Sequence, residues 1–94
     1  MSALPEPWCE PFDSDSVLFE RELAVEVGAG HPLHGLSARL IARRLDRDDA
    51  LFSLADGRLA EVHLTWRKSV EPDCRWPSVS LFSGLDEWRM SCRP

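Results

Sequence analysis

Apolar and polar residues alternate along the middle of the chain in a pattern that predicts an antiparallel sheet. Three mainly apolar segments, residues 36–45, 49–55 and 59–66, are separated by short polar stretches. Apolar runs bounded by turn residues are typical of a meander, in which each strand pairs with the next. Asp56-Gly57, between the second and third segments, is a strong hairpin signal, because a tight primed turn needs positive φ and glycine adopts it without strain.

The third segment alternates most regularly and therefore indicates which side chains reach the core. Its even-numbered positions are apolar, whereas its odd-numbered positions include Glu61, His63 and Thr65. One sheet face should therefore pack on a core while the other is at least partly exposed to water. We expect the core to contain the following residues: Phe19, Leu23, Leu40, Phe52, Leu54, Val62, Leu64 and Trp66.

Residues 15–27 fit either a helix or a strand. Phe19 and Leu23 are four residues apart, as on one face of a helix, but the odd-numbered apolar residues also fit the period of a strand. The flanking residues favour the helix. Asp15 can cap its N-terminus, and Gly28 suits the left-handed residue that ends many helices.

The two ends of the chain complete the predicted organisation. A fourth strand is indicated near residues 79–82 and a short helix at 85–90, after an N-cap serine. Residues 1–14 contain three prolines among acidic residues, which predicts a flexible arm. The remaining residues, 15–94, should form a single α+β domain: an N-terminal helix, a three- or four-stranded antiparallel meander and a short C-terminal helix.

Charge and composition exclude several classes of partner. The 94 residues carry a net charge of −5, and an acidic chain binds nucleic-acid phosphates poorly. No apolar run approaches the roughly 18 residues that span a bilayer, and the N-terminus does not resemble a secretion signal. We therefore expect a cytoplasmic protein that binds neither nucleic acid nor membranes. The odd number of cysteines (Cys9, Cys74 and Cys92) predicts free thiols rather than a disulfide framework.

Three histidines are the first candidates for binding chemistry. His31 and His34 lie in one glycine-rich loop, and His63 lies on the third strand. If they converged, their imidazoles could hold a metal ion. The alternative is that the loop histidines bond to loop carbonyls while His63 lies on the wet sheet face. Because no compact zinc motif is present, we favour this alternative and expect no metal and no cofactor.

A second candidate set lies on the polar face of the sheet. Glu61 and His63 share that face with Thr65, and Arg39 and Arg43 on the first strand are plausible neighbours. Such a set could bind an anion or exchange protons. Cross-strand pairing of Glu with Arg on an exposed sheet gives the same pattern without activity. We therefore treat these residues as binding candidates and predict no catalytic residue.

Four tryptophans are many for a chain of this length. Trp66, Trp76 and Trp88 can close a small core, because each ring buries a large apolar area. They can equally form an exposed patch for a partner, since tryptophan concentrates at binding hot spots. Trp66 is the binding candidate among them, and Trp8 in the arm can dock on the body or touch a partner.

Five short segments together resemble a family of small hypothetical bacterial proteins. The resemblance covers about residues 18–90 and implies a stand-alone bacterial domain. It supplies no catalytic residue, because no activity is attached to that family. The segments are Gly30-His-Pro-Leu-His-Gly35, Ala42-Arg-Arg with Asp48-Asp-Ala-Leu-Phe52, Val62-His-Leu-Thr-Trp66, Arg75-Trp-Pro77 and Trp88.

These observations favour one function and leave two alternatives. The favoured prediction is a non-catalytic binding protein, of the antitoxin or immunity type, whose acidity suits a basic protein partner. The first alternative is a small metal- or ligand-binding enzyme that uses His31, His34 and His63. The second is a homodimeric structural module that pairs exposed sheet edges or tryptophan surfaces.

Overall fold

Two helices and five antiparallel strands make up the computed structural model, which describes residues 4–73 and 75–92. The strands lie in the sheet in chain order. The α+β class, the meander and both helices are confirmed, but the strands number five rather than three or four. The elements are β1 (Trp8–Cys9), α1 (Asp15–Glu26), β2 (Ala38–Arg44), β3 (Asp49–Leu54), β4 (Leu59–His63), β5 (Ser78–Phe82) and α2 (Leu85–Ser91).

The additional strand, β1, comes from the segment for which the sequence predicts an arm. Trp8 pairs with Arg44 and Cys9 with Arg43, so this short strand lies against the end of β2. The Trp8 side chain is buried. A strand of two residues has no period that a sequence pattern could reveal.

Helix α1 packs on one face of the sheet and forms the larger core. Seven of the eight predicted core residues are buried there, and Trp66 is half-buried against them. The buried members of this cluster are Phe19, Leu23, Val27, Leu33, Leu40, Ala50, Phe52, Leu54, Ala60, Val62 and Leu64.

The opposite face of the sheet is partly buried as well. Helix α2 places Trp88 on it, fully buried, and the rings of Trp88 and Trp8 pack in a T-shaped arrangement at a centroid distance of 5.2 Å. Ala42, Leu51 and Leu59 complete this second cluster. This face is therefore partly buried and partly exposed to water.

A bulge in β2 determines which face its arginines occupy. Leu40 lies opposite Phe52, but Ala42 lies opposite the next residue, Leu51, so one residue of β2 is extra. Beyond this point the even-numbered side chains of β2 point to the opposite face of the sheet from those before it. Arg43 consequently points to the α1 face, and the residue after it to the α2 face.

Two carboxylates from α1 hold the start of the β4–β5 loop. Glu26 accepts hydrogen bonds from the N–H groups of Thr65 (3.0 Å) and Trp66 (2.7 Å), and Glu22 accepts one from Lys68 (3.0 Å). Trp66 and Lys68 have φ values of 56° and 61°, a left-handed conformation that is unfavourable for residues with a side chain. The two carboxylates thus stabilise an unfavourable backbone path.

Candidate functional site

An open polar groove runs along β4 and β5 on the α2 face of the sheet. It consists of two cavities of about 320 and 390 Å³ that meet at Glu61 and Ser80. We call it the Glu61 groove. Its first part is lined by Arg47, Asp49, His63, Trp76 and Ser78, and its second part includes Glu6, Trp8, Arg44, Phe82 and Cys92.

The register of the sheet explains why these side chains lie together. Directly opposite residues in antiparallel strands point to the same face. Asp49 lies opposite His63, which lies opposite Ser78, so three polar residues form one row across β3, β4 and β5. Glu61 and Ser80 belong to the next row. Neighbouring residues in such rows have Cβ atoms about 5 Å apart.

Glu61 is held in place by a buried tryptophan. The Trp88 indole N–H donates to Glu61 Oε1 at 3.0 Å, which ties the carboxylate to α2. Within residues 4–73 and 75–92, no basic side chain forms an ion pair with Glu61. The nearby Arg44 is bonded twice to Asp46, at 2.8 and 2.7 Å. The Glu61 carboxylate is therefore fixed in the groove, where it interacts with Arg44 electrostatically but forms no ion pair with it.

Asp49 and His63 form a second fixed pair. His63 Nδ1 donates to Asp49 Oδ1 at 2.6 Å, while Arg47 lies 3.7 Å from the other carboxylate oxygen. The Asp49 side chain is nearly buried, but that of His63 is 48% exposed. Aspartate, histidine and serine are the components of a nucleophilic triad, but in the described part of the chain no hydrogen bond joins Ser78 to His63. In this arrangement His63 is bonded to Asp49 and not to the serine.

Trp76 gives the groove an aromatic wall. Its side chain is 44% exposed, unlike the buried ring of Trp88. An exposed indole face attracts cations and stacks on planar groups. A carboxylate floor, hydroxyl side chains and an aromatic wall together suit a positively charged group with hydrogen-bond donors.

The two loop histidines lie outside this groove. His31 is buried, its Nε2–H donates to the Pro77 carbonyl at 2.8 Å, and its Nδ1 accepts from the Leu33 N–H at 3.0 Å. His34 Nδ1 lies 3.3 Å from the Val27 carbonyl. Both rings therefore bond to the backbone of their surroundings. Among the described residues, no group of three or more His, Cys, Asp or Glu side chains is arranged to hold a metal ion.

The remaining predicted residues are also apart from Glu61. Arg43 bonds to Asp15 at 3.0 Å and lies over the Phe19 ring, on the α1 face. Trp66 packs against the same ring in a T-shaped arrangement, with centroids 5.0 Å apart. Arg39 is exposed on β2, opposite a residue of β3, and does not line the groove. Of the predicted set, the structure brings only Glu61 and His63 into the groove.

Several groove residues were not identifiable from the sequence. Ser78 and Ser80 become part of the site through their pairing with β4, and Trp88 through the docking of α2. The only local signal is the alternation of serine with apolar residues in β5. Of the cysteines, Cys9 and Cys92 are free thiols as predicted, and Cys74 lies outside the described residues.

Comparison with known proteins adds no relative to this picture. A scan against protein-family models found no match, and searches of curated proteins and of solved structures found none either. The resemblance to small bacterial proteins therefore stays a prediction. Within the described ranges, neither helix has the length and apolar character needed to cross a membrane.

Proposed function

We propose that this protein is a non-catalytic binding module that holds a basic segment of a partner protein in the Glu61 groove. The observation that carries this proposal is the position of Glu61. Its carboxylate lies where the two cavities meet, is held by Trp88, and has no ion pair within the described residues. A guanidinium or ammonium group entering the groove would supply the missing positive charge.

The rest of the groove supports a cationic ligand. Trp76 offers an indole face for a cation–π contact, and the Ser78 and Ser80 hydroxyls can accept hydrogen bonds from a guanidinium. The net charge of −5 favours encounter with a basic surface and disfavours nucleic acid. A partner-neutralising protein of the antitoxin or immunity type, in the bacterial cytoplasm, fits these properties because such a protein needs a complementary surface and no catalysis.

A direct test measures binding of a fluorescently labelled hexa-arginine peptide. Glu61→Gln keeps the shape of the side chain and an acceptor for the Trp88 N–H, but it removes the charge. We expect it to weaken binding by about tenfold or more, since a hydrogen bond to a charged group contributes about 1.5–3 kcal/mol. Asp13→Asn is the matched control, because Asp13 is exposed and does not line the groove.

The outcomes separate groove binding from general attraction between opposite charges. Groove binding predicts that Asp13→Asn binds like the unchanged protein and that a hexa-glutamate peptide does not bind. Equal weakening by both substitutions would show that only net charge matters, and would refute the role of Glu61.

A further inference from the structure

The outer edge of β5 exposes backbone groups that no other described strand pairs with. The N–H of Leu64 donates to the Asp48 carbonyl at 3.2 Å, and that of Leu54 to the Arg58 carbonyl at 2.9 Å. Even-numbered residues of β4 and its flanks therefore direct their backbone groups toward β3. The odd-numbered residues 59, 61 and 63 direct theirs toward β5.

This alternation identifies the free positions on β5. Residues 59, 61 and 63 lie opposite Phe82, Ser80 and Ser78, so these three residues bond inward to β4. Val79 and Leu81 consequently point their N–H and C=O groups away from the sheet. The preceding outward carbonyl, that of Pro77, already accepts from His31. The unpaired part of the β5 edge is therefore limited to the backbone groups of Val79 and Leu81.

The opposite edge of the sheet is formed by the two-residue strand β1 and the start of β2, and part of its backbone already has partners. At that edge β1 pairs with the end of β2, and the Glu20 carboxylate accepts the outward N–H of Leu40 at 2.9 Å. Natural sheets protect open edges with charges, prolines or bulges. Strand β5 reads Ser-Val-Ser-Leu-Phe and contains none of these.

We infer that β5 pairs with β5 of a second copy of this chain, in antiparallel orientation about a two-fold axis at Ser80. In this register Val79 lies opposite Leu81 of the second copy, and Leu81 opposite its Val79. These are the outward-pointing residues on both copies, so the two pairs form four backbone hydrogen bonds. Ser80 then faces Ser80 in a pair without backbone hydrogen bonds.

The side chains are as self-complementary as the backbone. Val79 is half-buried and Leu81 is 39% exposed on the α1 face, and each gains an apolar neighbour from the other copy. The strand carries no charge that would face its own copy. The two Glu61 carboxylates lie three strand spacings apart, about 14 Å, which exceeds the screening length at physiological salt. Self-pairing therefore meets little electrostatic repulsion.

Light scattering of the full-length protein tests the dimer by its mass. We expect twice the chain mass of 10.7 kDa at high protein concentration. Ser80→Lys and Ser80→Glu should each give the single-chain mass, because like charges would face each other across the axis. An equimolar mixture of the two variants should restore the dimer mass, which a misfolded variant could not do. Ala55→Lys adds the same charge at the exposed β3–β4 turn and should leave the dimer intact.

Cross-linking tests the register. Opposed residues in a pair without backbone hydrogen bonds have Cα atoms about 4.5 Å apart, within the range of a disulfide. Ser80→Cys should therefore form a covalent dimer on mild oxidation, whereas Thr65→Cys and the unchanged protein should not. A single-chain mass at every concentration would overturn the inference, as would a dimer that Ser80→Lys leaves unchanged. Neither the mass measurement nor the cross-linking uses a ligand of the groove. A result that excludes the dimer would therefore leave the proposed function unaffected.

Discussion

Replacing Glu26 by glutamine should remove a pH dependence of stability that this carboxyl creates. Glu26 is fully buried (0% exposed), and burial, followed by the hydrogen bond with Glu22, raises its pKa to about 7. The N–H groups of Thr65 and Trp66 act in the opposite direction but do not restore the ordinary value of 4.5. The carboxyl therefore holds a proton in the folded protein that it would lose in the unfolded chain.

The direction and the size of the effect follow from this pKa difference. Between pH 4.5 and about 7 the folded state binds more protons than the unfolded state, so stability falls as the pH rises. One pKa unit corresponds to about 1.36 kcal/mol, which gives a contribution of about 3 kcal/mol. This contribution to stability is present in full below pH 4.5, the pKa of the carboxyl in the unfolded chain. It is lost as the pH rises through about 7, the pKa in the folded protein. Such an amount is a large part of the stability of a small domain, about 5–15 kcal/mol.

Urea unfolding followed by tryptophan fluorescence measures this contribution. The free energy of unfolding would be compared at about pH 5 and about pH 8 for the unchanged protein, Glu26→Gln and the exposed control Glu10→Gln. We expect the unchanged protein and the control to lose about 2–3 kcal/mol more than Glu26→Gln over this interval, since the unfolded carboxyl is already mostly ionised at the lower pH. At the lower pH the variant should be less stable by about 1–3 kcal/mol, because the amide nitrogen that replaces one carboxyl oxygen cannot accept an N–H bond from Thr65 or Trp66. Parallel pH profiles for all three proteins would refute the reasoning.

Three further substitutions test the packing and the turn, each by the free energy of unfolding in urea. Leu64→Ala should lower the free energy of unfolding by about 2–5 kcal/mol, whereas Val17→Ala, at an exposed position, should lower it by less than about 0.5 kcal/mol. Equal losses for the two variants would show that Leu64 does not belong to the core. Trp88→Phe should cost about 2–3 kcal/mol, because the buried ring stays largely filled but Glu61 loses its donor; a neutral effect would contradict that hydrogen bond. Gly57→Ala should cost about 1 kcal/mol because φ is +94°, and Gly57→Asn should cost less; the reverse order would contradict the turn geometry.

The sheet was predictable because its strands carry local periodic signals. Alternation along β4 identifies the buried residues Val62 and Leu64, and the Asp56-Gly57 turn fixes its pairing with β3. Helix α1 was predicted correctly, but its cap was not. Asp15 accepts from the N–H of Phe12 at 2.7 Å instead of from the first helical turn, and the N-cap residue makes no side-chain bond.

Contacts between distant segments were not predictable in the same way. The bulge in β2 reverses the expected alternation after Leu40, and no single residue marks it. The contact between Trp8 and Trp88 joins the two ends of the chain. Neither feature leaves a periodic trace in the sequence, because each depends on tertiary packing.

The same distinction between local patterns and contacts of distant segments applies to the residues of the candidate site. Glu61 and His63 share a face by alternation alone, so the sequence identifies them together. Their neighbours Ser78 and Ser80 follow from the pairing of β5 across a long loop, and the hydrogen bond from Trp88 follows from the docking of α2. Arg43 was expected near Glu61 because the bulge was not visible, and the bulge places it on the other face.

The indole N–H of Trp88 reports on Glu61 directly, because it donates to that carboxylate. A ¹H–¹⁵N correlation spectrum recorded while hexa-arginine peptide is added therefore tests whether the groove binds a basic segment. We expect the Trp88 indole signal and the Ser80 amide signal to shift together and to saturate, and both shifts to be lost in Glu61→Gln. Signals that move only on the α1 face, or a Trp88 signal that stays in place while the peptide binds, would contradict the proposed function.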